Sequence, residues 1–228
     1  MKYKILFFIF TYIIIVFSLN AQQEITHFLG IPVDGPKKEV VKSLKNKGFK
    51  KTSENSVLEG IFNGKTSYIH VFETNGKVSR IAVTPKYYLN VRDAIKEFNN
   101  LCYQFIEKDN YIVHHPDIII PTYKDIAIPS DEDIAYEMSV HNKNYQVALT
   151  QLPLPLDSLL KEEEPSNHYI SMRITKEDGN EIDMMSYLKI LDKYSKNSVW
   201  FSINEDYGKY YIVLYYDNNN NRSFGDDL

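Results

Sequence analysis

VLEGIFNGKTSYIHVFETNGKVSRIAVT, residues 57 to 84, contains two Asn-Gly pairs, Asn63-Gly64 and Asn75-Gly76, each set between alternating or apolar runs. Asparagine and glycine tolerate the positive φ angles of a two-residue hairpin turn better than other residues do. The stretch therefore predicts a three-strand antiparallel meander, with strands over Val57 to Phe62, Thr66 to Glu73 and Val78 to Thr84. Alternation puts Ile69, Val71, Ile81 and Val83 on one face and Tyr68, His70 and Phe72 on the other.

On either side of the meander the period changes. Downstream, Asn90 is placed to cap a helix in which Val91, Ala94, Ile95, Phe98, Leu101, Cys102 and Phe105 recur at three- and four-residue steps, a face that must pack on a sheet. Upstream, a short strand is expected over Ile25 to Gly30. Asp34-Gly35-Pro36 then opens a helix with Val40, Val41 and Leu44 on one side. Gly48 stops it, and Phe49 can fold back onto Leu44 in a Schellman end.

Beyond Tyr111 the pattern weakens. Pro116, Pro121 and Pro129 interrupt a β-like run that includes Ile118 to Ile120, so residues 111 to 133 read as an edge strand within a long loop. A hairpin is expected from Tyr136 to His141 and Tyr145 to Gln151, around Asn142-Lys143-Asn144. Pro153, Pro155 and the acidic run Glu162 to Glu164 suggest an exposed connection, followed by a strand from His168 to Thr175. Residues 181 to 196 fit a helix or a strand. Val199 to Glu205 and Tyr210 to Asp217 form a last hairpin, and Asn218 to Asn221 read as the start of a solvated polar tail over 218–228.

The order is helix then strands, twice. It gives the α+β class, antiparallel sheet with helices packed on one face, and suggests two helix-plus-meander layers as pseudo-repeats over 25–85 and 90–217 of a single domain spanning 22–217.

The amino end carries a different kind of signal. Lys2 and Lys4 precede an apolar run from Ile5 to Phe17, and Ser18-Leu19-Asn20-Ala21 ends in a small residue before Gln22. This is the layout of a secretory signal peptide, with cleavage expected near Ala21 and a product soluble in the periplasm or outside the cell. The run is short for a bilayer span, which needs about 20 apolar residues, so no transmembrane segment is expected in the mature chain. Of the 228 residues, 207 would remain, with 24 basic against 30 acidic side chains and a net charge of −6. That balance argues against nucleic acid and anionic membranes as partners. The single cysteine, Cys102, lies among Phe98, Leu101 and Phe105 and reads as a buried small hydrophobe rather than a nucleophile.

Candidate sites follow from strand parity. If Glu205 pairs with Tyr210, then Val199, Phe201, Ile203, Ile212, Leu214 and Tyr216 face the core. Trp200, Tyr211, Val213 and Tyr215 face away. Together with Tyr68, His70 and Phe72 they form aromatic rows pointing away from the helices, and such residues are favoured at partner surfaces because they bury much area at low entropy cost. Tyr68, His70, Phe72, Trp200, Tyr211 and Tyr215 are thus the candidate binding residues.

Other chemistry has weaker support. His114-His115 with Asp117 places imidazole beside carboxylate, without a second ligand group at metal-site spacing. Asp217, Asn219 and Asn221 alternate as in the opening of a calcium loop, but Arg222 stands where glycine is needed and Leu228 where a bidentate glutamate is needed. No metal or cofactor is expected. No nucleophile motif, phosphate loop or Cys-His signature is present. Glu59, Glu73 and Glu137 on expected strands read as solvent-facing alternation rather than a general acid pair.

The stretch Phe28-Leu29-Gly30-Ile31-Pro32-Val33-Asp34-Gly35, the Lys47-Gly48-Phe49 helix end, Tyr215-Tyr216-Asp217 and the closing Asp226-Asp227-Leu228 resemble a group of small uncharacterised exported proteins of Gram-negative gut anaerobes. The resemblance covers both ends well and the middle poorly. It implies an exported, mainly antiparallel α+β protein and brings no catalytic residue with it. The helix-then-meander order is also similar to the fold of beta-lactamase inhibitory protein and to small outer-membrane assembly lipoproteins, which bind other proteins. Likeness of shape does not transfer function. The expectation is a non-catalytic binding or scaffold module of the cell envelope, with another envelope protein as partner. The alternative is a periplasmic hydrolase of an envelope or dietary polymer.

Overall fold

The structure is a computed structural model that describes residues 25–54, 56–114, 145–162, 181–222 and the strand backbone at 173–175. The meander forms as the sequence predicts. Strands β4 (Val57–Phe62), β5 (Lys65–Thr74) and β6 (Lys77–Pro85) pair antiparallel. Both Asn-Gly turns have positive φ at both residues, 48° and 76° at the first and 53° and 77° at the second, the backbone of a type I′ turn.

Short strands precede the meander. β1 (His27–Phe28) and β2 (Ile31–Pro32) form a small hairpin around Leu29-Gly30, replacing the single strand expected over Ile25 to Gly30. Both turn residues have positive φ, so the chain reverses within the apolar stretch. β3 (Lys50–Lys51), which has no apolar alternation to betray it, lies beside β4.

Helix α1 (Lys37–Asn46) follows Pro36 and buries Val40 and Leu44. Its end is the Schellman geometry: the Phe49 N–H reaches the Leu44 carbonyl at 3.2 Å, and the Gly48 N–H reaches that of Lys45 at 2.9 Å. Helix α2 (Val91–Ile106) is capped by Asn90, whose Oδ1 accepts from the Asp93 N–H at 2.8 Å, and it buries every apolar position named from its periodicity.

The second half contains β7 (Tyr111–Val113), β8 (Gln146–Gln151), α3 (Leu156–Glu162), β9 (Arg173–Thr175), β10 (Glu181–Asp183), α4 (Met184–Tyr194), β11 (Asn197–Asp206) and β12 (Lys209–Asn218). Residues 181 to 196, which fit either a helix or a strand, contain both: a short strand and then a helix capped by Asp183, whose carboxylate accepts from the Ser186 N–H at 3.0 Å. The supposed connection after Pro155 holds α3, with Leu159 buried. The expected strand from Tyr136 to His141 lies outside the described residues, as does most of the 111–133 loop. The expected strand from His168 to Thr175 is described only at Arg173–Thr175, where β9 pairs with β10.

Eight strands form one antiparallel sheet in the order β3-β4-β5-β6-β12-β11-β8-β7. Each helix-then-strands unit runs from an edge inward, and the last strands of the two units, β6 and β12, meet at the centre. The two units therefore lie side by side in one continuous sheet. Helices α1 and α2 cover one face. The core between them holds Phe28, Phe98 and Phe201 with no solvent exposure; Phe98 meets the Phe201 ring edge-on at 5.1 Å and Phe105 stacks on it at 5.7 Å.

A second, smaller cluster forms from Ile112, Leu152, Leu159, Ile190 and Tyr194. Tyr111 and Val113 pack against the main core while Ile112 between them joins this cluster, so β7 contributes to both sides of the sheet. Among the described residues, no helix is long and apolar enough to cross a membrane.

Candidate functional site

The last hairpin pairs Glu205 with Tyr210, the register on which the parity argument depended. Val199, Phe201, Ile203, Ile212, Leu214 and Tyr216 are buried on the helix side, and Trp200, Tyr211 and Tyr215 are half-buried on the other. Val213 shares that outer face yet is buried, as is Ala82 on β6. In the meander Tyr68 and His70 are half-buried and Phe72 is exposed.

Pairing across β11, β12, β6 and β5 aligns Trp200, Tyr215, Ala82 and His70 in one row. The next row aligns Ser198, Asp217, Arg80 and Phe72. Where the two rows touch, the Trp200 and Tyr215 rings stack at 3.9 Å with 19° between planes, and the Arg80 guanidinium lies 4.8 Å from the Tyr215 ring and 5.3 Å from that of Trp200.

Beside the rings lies a carboxylate, Asp217, whose only candidate role in the sequence is the calcium-loop spacing. Asp217 is 1 % exposed, and Arg80 grips it with Nε to Oδ1 at 2.6 Å and Nη2 to Oδ2 at 2.8 Å. The indole Nε1–H of Trp200 donates to Oδ2 at 3.0 Å, and Arg222 donates to the same oxygen at 3.2 Å. The bond to Asp217 holds the Arg80 guanidinium above its ordinary pKa, and burial pushes the Tyr215 phenol up although Arg80 opposes it. Trp200 and Tyr215 are thus pinned ring to ring beside an ion pair. Asp217, the first residue of the calcium-loop spacing, is bonded to two arginines.

Asn218 to Asn221, expected as part of a solvated tail, fasten the end of β12 to the segment between β2 and α1 and to β6. The Asn218 Nδ2 donates to the Val33 carbonyl at 2.9 Å, the Asn221 Nδ2 donates to Asp34 Oδ1 at 2.6 Å and to the Val78 carbonyl at 2.8 Å, and Thr26 Oγ1 donates to the Asp217 carbonyl at 2.5 Å. Asparagine amides satisfy buried backbone groups here that strands leave open.

Beside the aromatic row lies a groove of about 490 Å³ lined by Tyr68, His70, Tyr88 and Tyr211, with Glu54 and Lys86 among its polar groups. Tyr88 and Tyr211 stack at 5.0 Å with 17° between planes, and half of Tyr88 is exposed. His70 Nε2 lies 3.3 Å from Thr84 Oγ1, and burial holds the imidazole below its usual pKa against the pull of Glu54. Sequence reasoning found three of these rings and missed Tyr88, which lies outside the meander.

The remaining candidates lie apart. His114 Nε2 is 2.8 Å from Thr150 Oγ1, while His115 and Asp117 fall outside the described residues. Among the described residues, no three His, Cys, Asp or Glu side chains are grouped to hold a metal ion. Glu59 is ion-paired with Lys86 at 2.8 Å, Glu73 is exposed and Glu137 is outside the described residues. Cys102 is buried in the main core, and its thiol is pushed up to about 11 by desolvation.

No protein family, curated protein or solved structure matches the chain.

Proposed function

We propose that this protein is an exported, non-catalytic binding or scaffold module of the cell envelope, and that it engages a partner protein through the outer face of its sheet. Export rests on the charged lead, apolar run and small-residue stop of residues 1 to 21. The observation that carries the binding role is the grouping of Tyr68, His70, Tyr88 and Tyr211 around one groove, on the sheet face away from α1 and α2 and beside the rigid Trp200-Tyr215 stack. Rings fixed before binding lose little entropy on contact, and tyrosine combines an apolar body with a polar tip suited to an interface rim.

The test is recovery of partners from an envelope extract on immobilised protein, comparing the parent with a Tyr88→Ser/Tyr211→Ser variant. Neither side chain is in the main core, so the variant keeps the fold. The reading expects at least one specifically retained protein to be lost with the variant. Identical recoveries by the two baits would count against the groove, and a product that stays in the cytoplasm would count against export.

A further inference from the structure

A second cavity, on the helix side of the sheet, is larger than the groove. It is an open cavity of about 830 Å³ between the β1–β2 hairpin, the β4–β5 turn, the carboxyl end of α2 and the start of β11. Binding cavities for small molecules fall in the range of about 300 to 1,000 Å³. Its chemistry has three parts.

The first part is an apolar body. Phe62, Leu101, Phe105 and Leu152 line it, and Leu29 and Ile61 stand at its edge 41 % and 66 % exposed. Solvent-facing leucine and isoleucine beside a cavity are apolar surface available to an incoming molecule.

The second part is a prearranged polar wall. Gln151, 8 % exposed, takes the His27 N–H on its Oε1 at 2.6 Å and donates through Nε2 to the His27 carbonyl at 3.0 Å and to the Tyr111 hydroxyl at 2.7 Å. Tyr216 is bonded to the same hydroxyl, and burial drives its phenol pKa far up. Next to this network Asn197, 3 % exposed, donates to the Gln151 carbonyl at 3.4 Å, but its Oδ1 has no hydrogen-bond partner among the described residues. A buried acceptor without a donor costs about 1 to 3 kcal/mol; this oxygen is sealed from solvent, so a ligand donor relieves that cost by turning the Asn197 amide toward the cavity.

The third part is charge. The chain has 30 acidic against 26 basic residues, yet among the described residues no aspartate or glutamate lines this cavity, and Lys108 does. The Lys108 ammonium is held over the rings of Phe105 and Tyr111 at 5.6 and 5.8 Å, beside the wall rather than extended away from it.

We propose that this cavity binds small amphipathic monocarboxylates that also carry an O–H or N–H donor. The carboxylate meets Lys108, the donor meets Asn197 Oδ1, and the apolar remainder lies on Phe62, Leu101, Phe105 and Leu152. The site is independent of the outer-face groove, so either can fail alone.

Dansylglycine provides all three features, an apolar ring system, a sulfonamide N–H and one carboxylate, and it fluoresces on burial. Dansylglycinamide is its uncharged counterpart. Titration into the purified protein is expected to give a saturable rise with dansylglycine. Lys108→Met, at an exposed position, should weaken dansylglycine about tenfold, the worth of roughly one charge-assisted hydrogen bond, and leave the amide's affinity unchanged. Asn197→Leu should weaken both probes, and Tyr88→Ala neither. No saturable signal, or an equal effect of Lys108→Met on both probes, overturns the assignment. So does binding that appears only when residues before Ile25 are removed, because the cavity would then belong to the chain's own amino-terminal segment.

Discussion

Replacing Arg80 by methionine tests whether the ion pair beside the aromatic stack holds the outer face together. The substitution keeps an unbranched side chain of similar reach and removes both hydrogen bonds from Arg80 to a carboxylate that is 1 % exposed. Stripping one partner from a buried pair costs about 3 to 5 kcal/mol, chiefly because the other charge stays buried and uncompensated. Two features place the expected loss at the low end, about 3 kcal/mol. The Arg80 side chain is 22 % exposed, so part of its attraction is screened, and Arg222 and Trp200 still donate to Oδ2. At this chain length that loss lowers the melting temperature by about 6 to 12 °C. Urea unfolding followed by far-ultraviolet circular dichroism measures it, and Trp200, the only tryptophan, reports separately on the stack. The double variant Arg80→Met/Asp217→Leu should recover most of the loss, because an apolar pair replaces the ion pair and no buried charge is stranded, the Arg222 side chain being 41 % exposed. If Arg80→Met falls within about 0.5 kcal/mol of the parent, or the double variant is as unstable as the losses of the two single variants added together, the reasoning is refuted.

Three further outcomes are expected. Gly60 faces the Phe49 ring so closely that a Cβ there would lie 2.9 Å from Cε1 and 3.0 Å from Cγ, so Gly60→Ala should cost about 1 to 3 kcal/mol in urea titration; a neutral result would mean the ring swings aside freely. Cys102 should resist a disulfide reagent at about pH 8 in the folded protein and react at once in denaturant, since its thiol is buried and its pKa raised; fast labelling without denaturant would contradict the burial. Burial lowers the His70 pKa below the unfolded value of 6.5, so the unfolded chain takes the proton first and stability is lost as pH falls from 6.5 through the folded value. His70→Gln should flatten the stability profile over that window, and an unchanged slope would show that His70 does not contribute.

Features set by local chemistry could be read from the chain. Asn63-Gly64 and Asn75-Gly76 dictate their turns, Asn90 and the apolar steps after it dictate α2, and Gly48-Phe49 dictates the end of α1. Strand alternation then placed the tryptophan and tyrosines correctly. It could not say what lay beside them, because Arg80 and Asp217 are 137 residues apart and become neighbours only once β6 pairs with β12. The same holds for Asn218 and Asn221, whose polarity reads as solvation until Val33, Asp34 and Val78 supply groups to bond. Elements too short to show a period, β1, β2 and β3, were missed or merged for that reason. The groove and the larger cavity are gathered from distant segments and have no signature along the chain.

The sheet order has a consequence for how the chain is made. β12 follows every other strand among the described residues and bonds both β6 and β11. A nascent polypeptide that has not yet reached β12 has two unzipped strand edges in place of a centre, and such edges offer themselves to other chains. Hairpins can form early, but closure of the sheet waits for β12, so a product truncated before that strand is an aggregation hazard rather than a smaller protein.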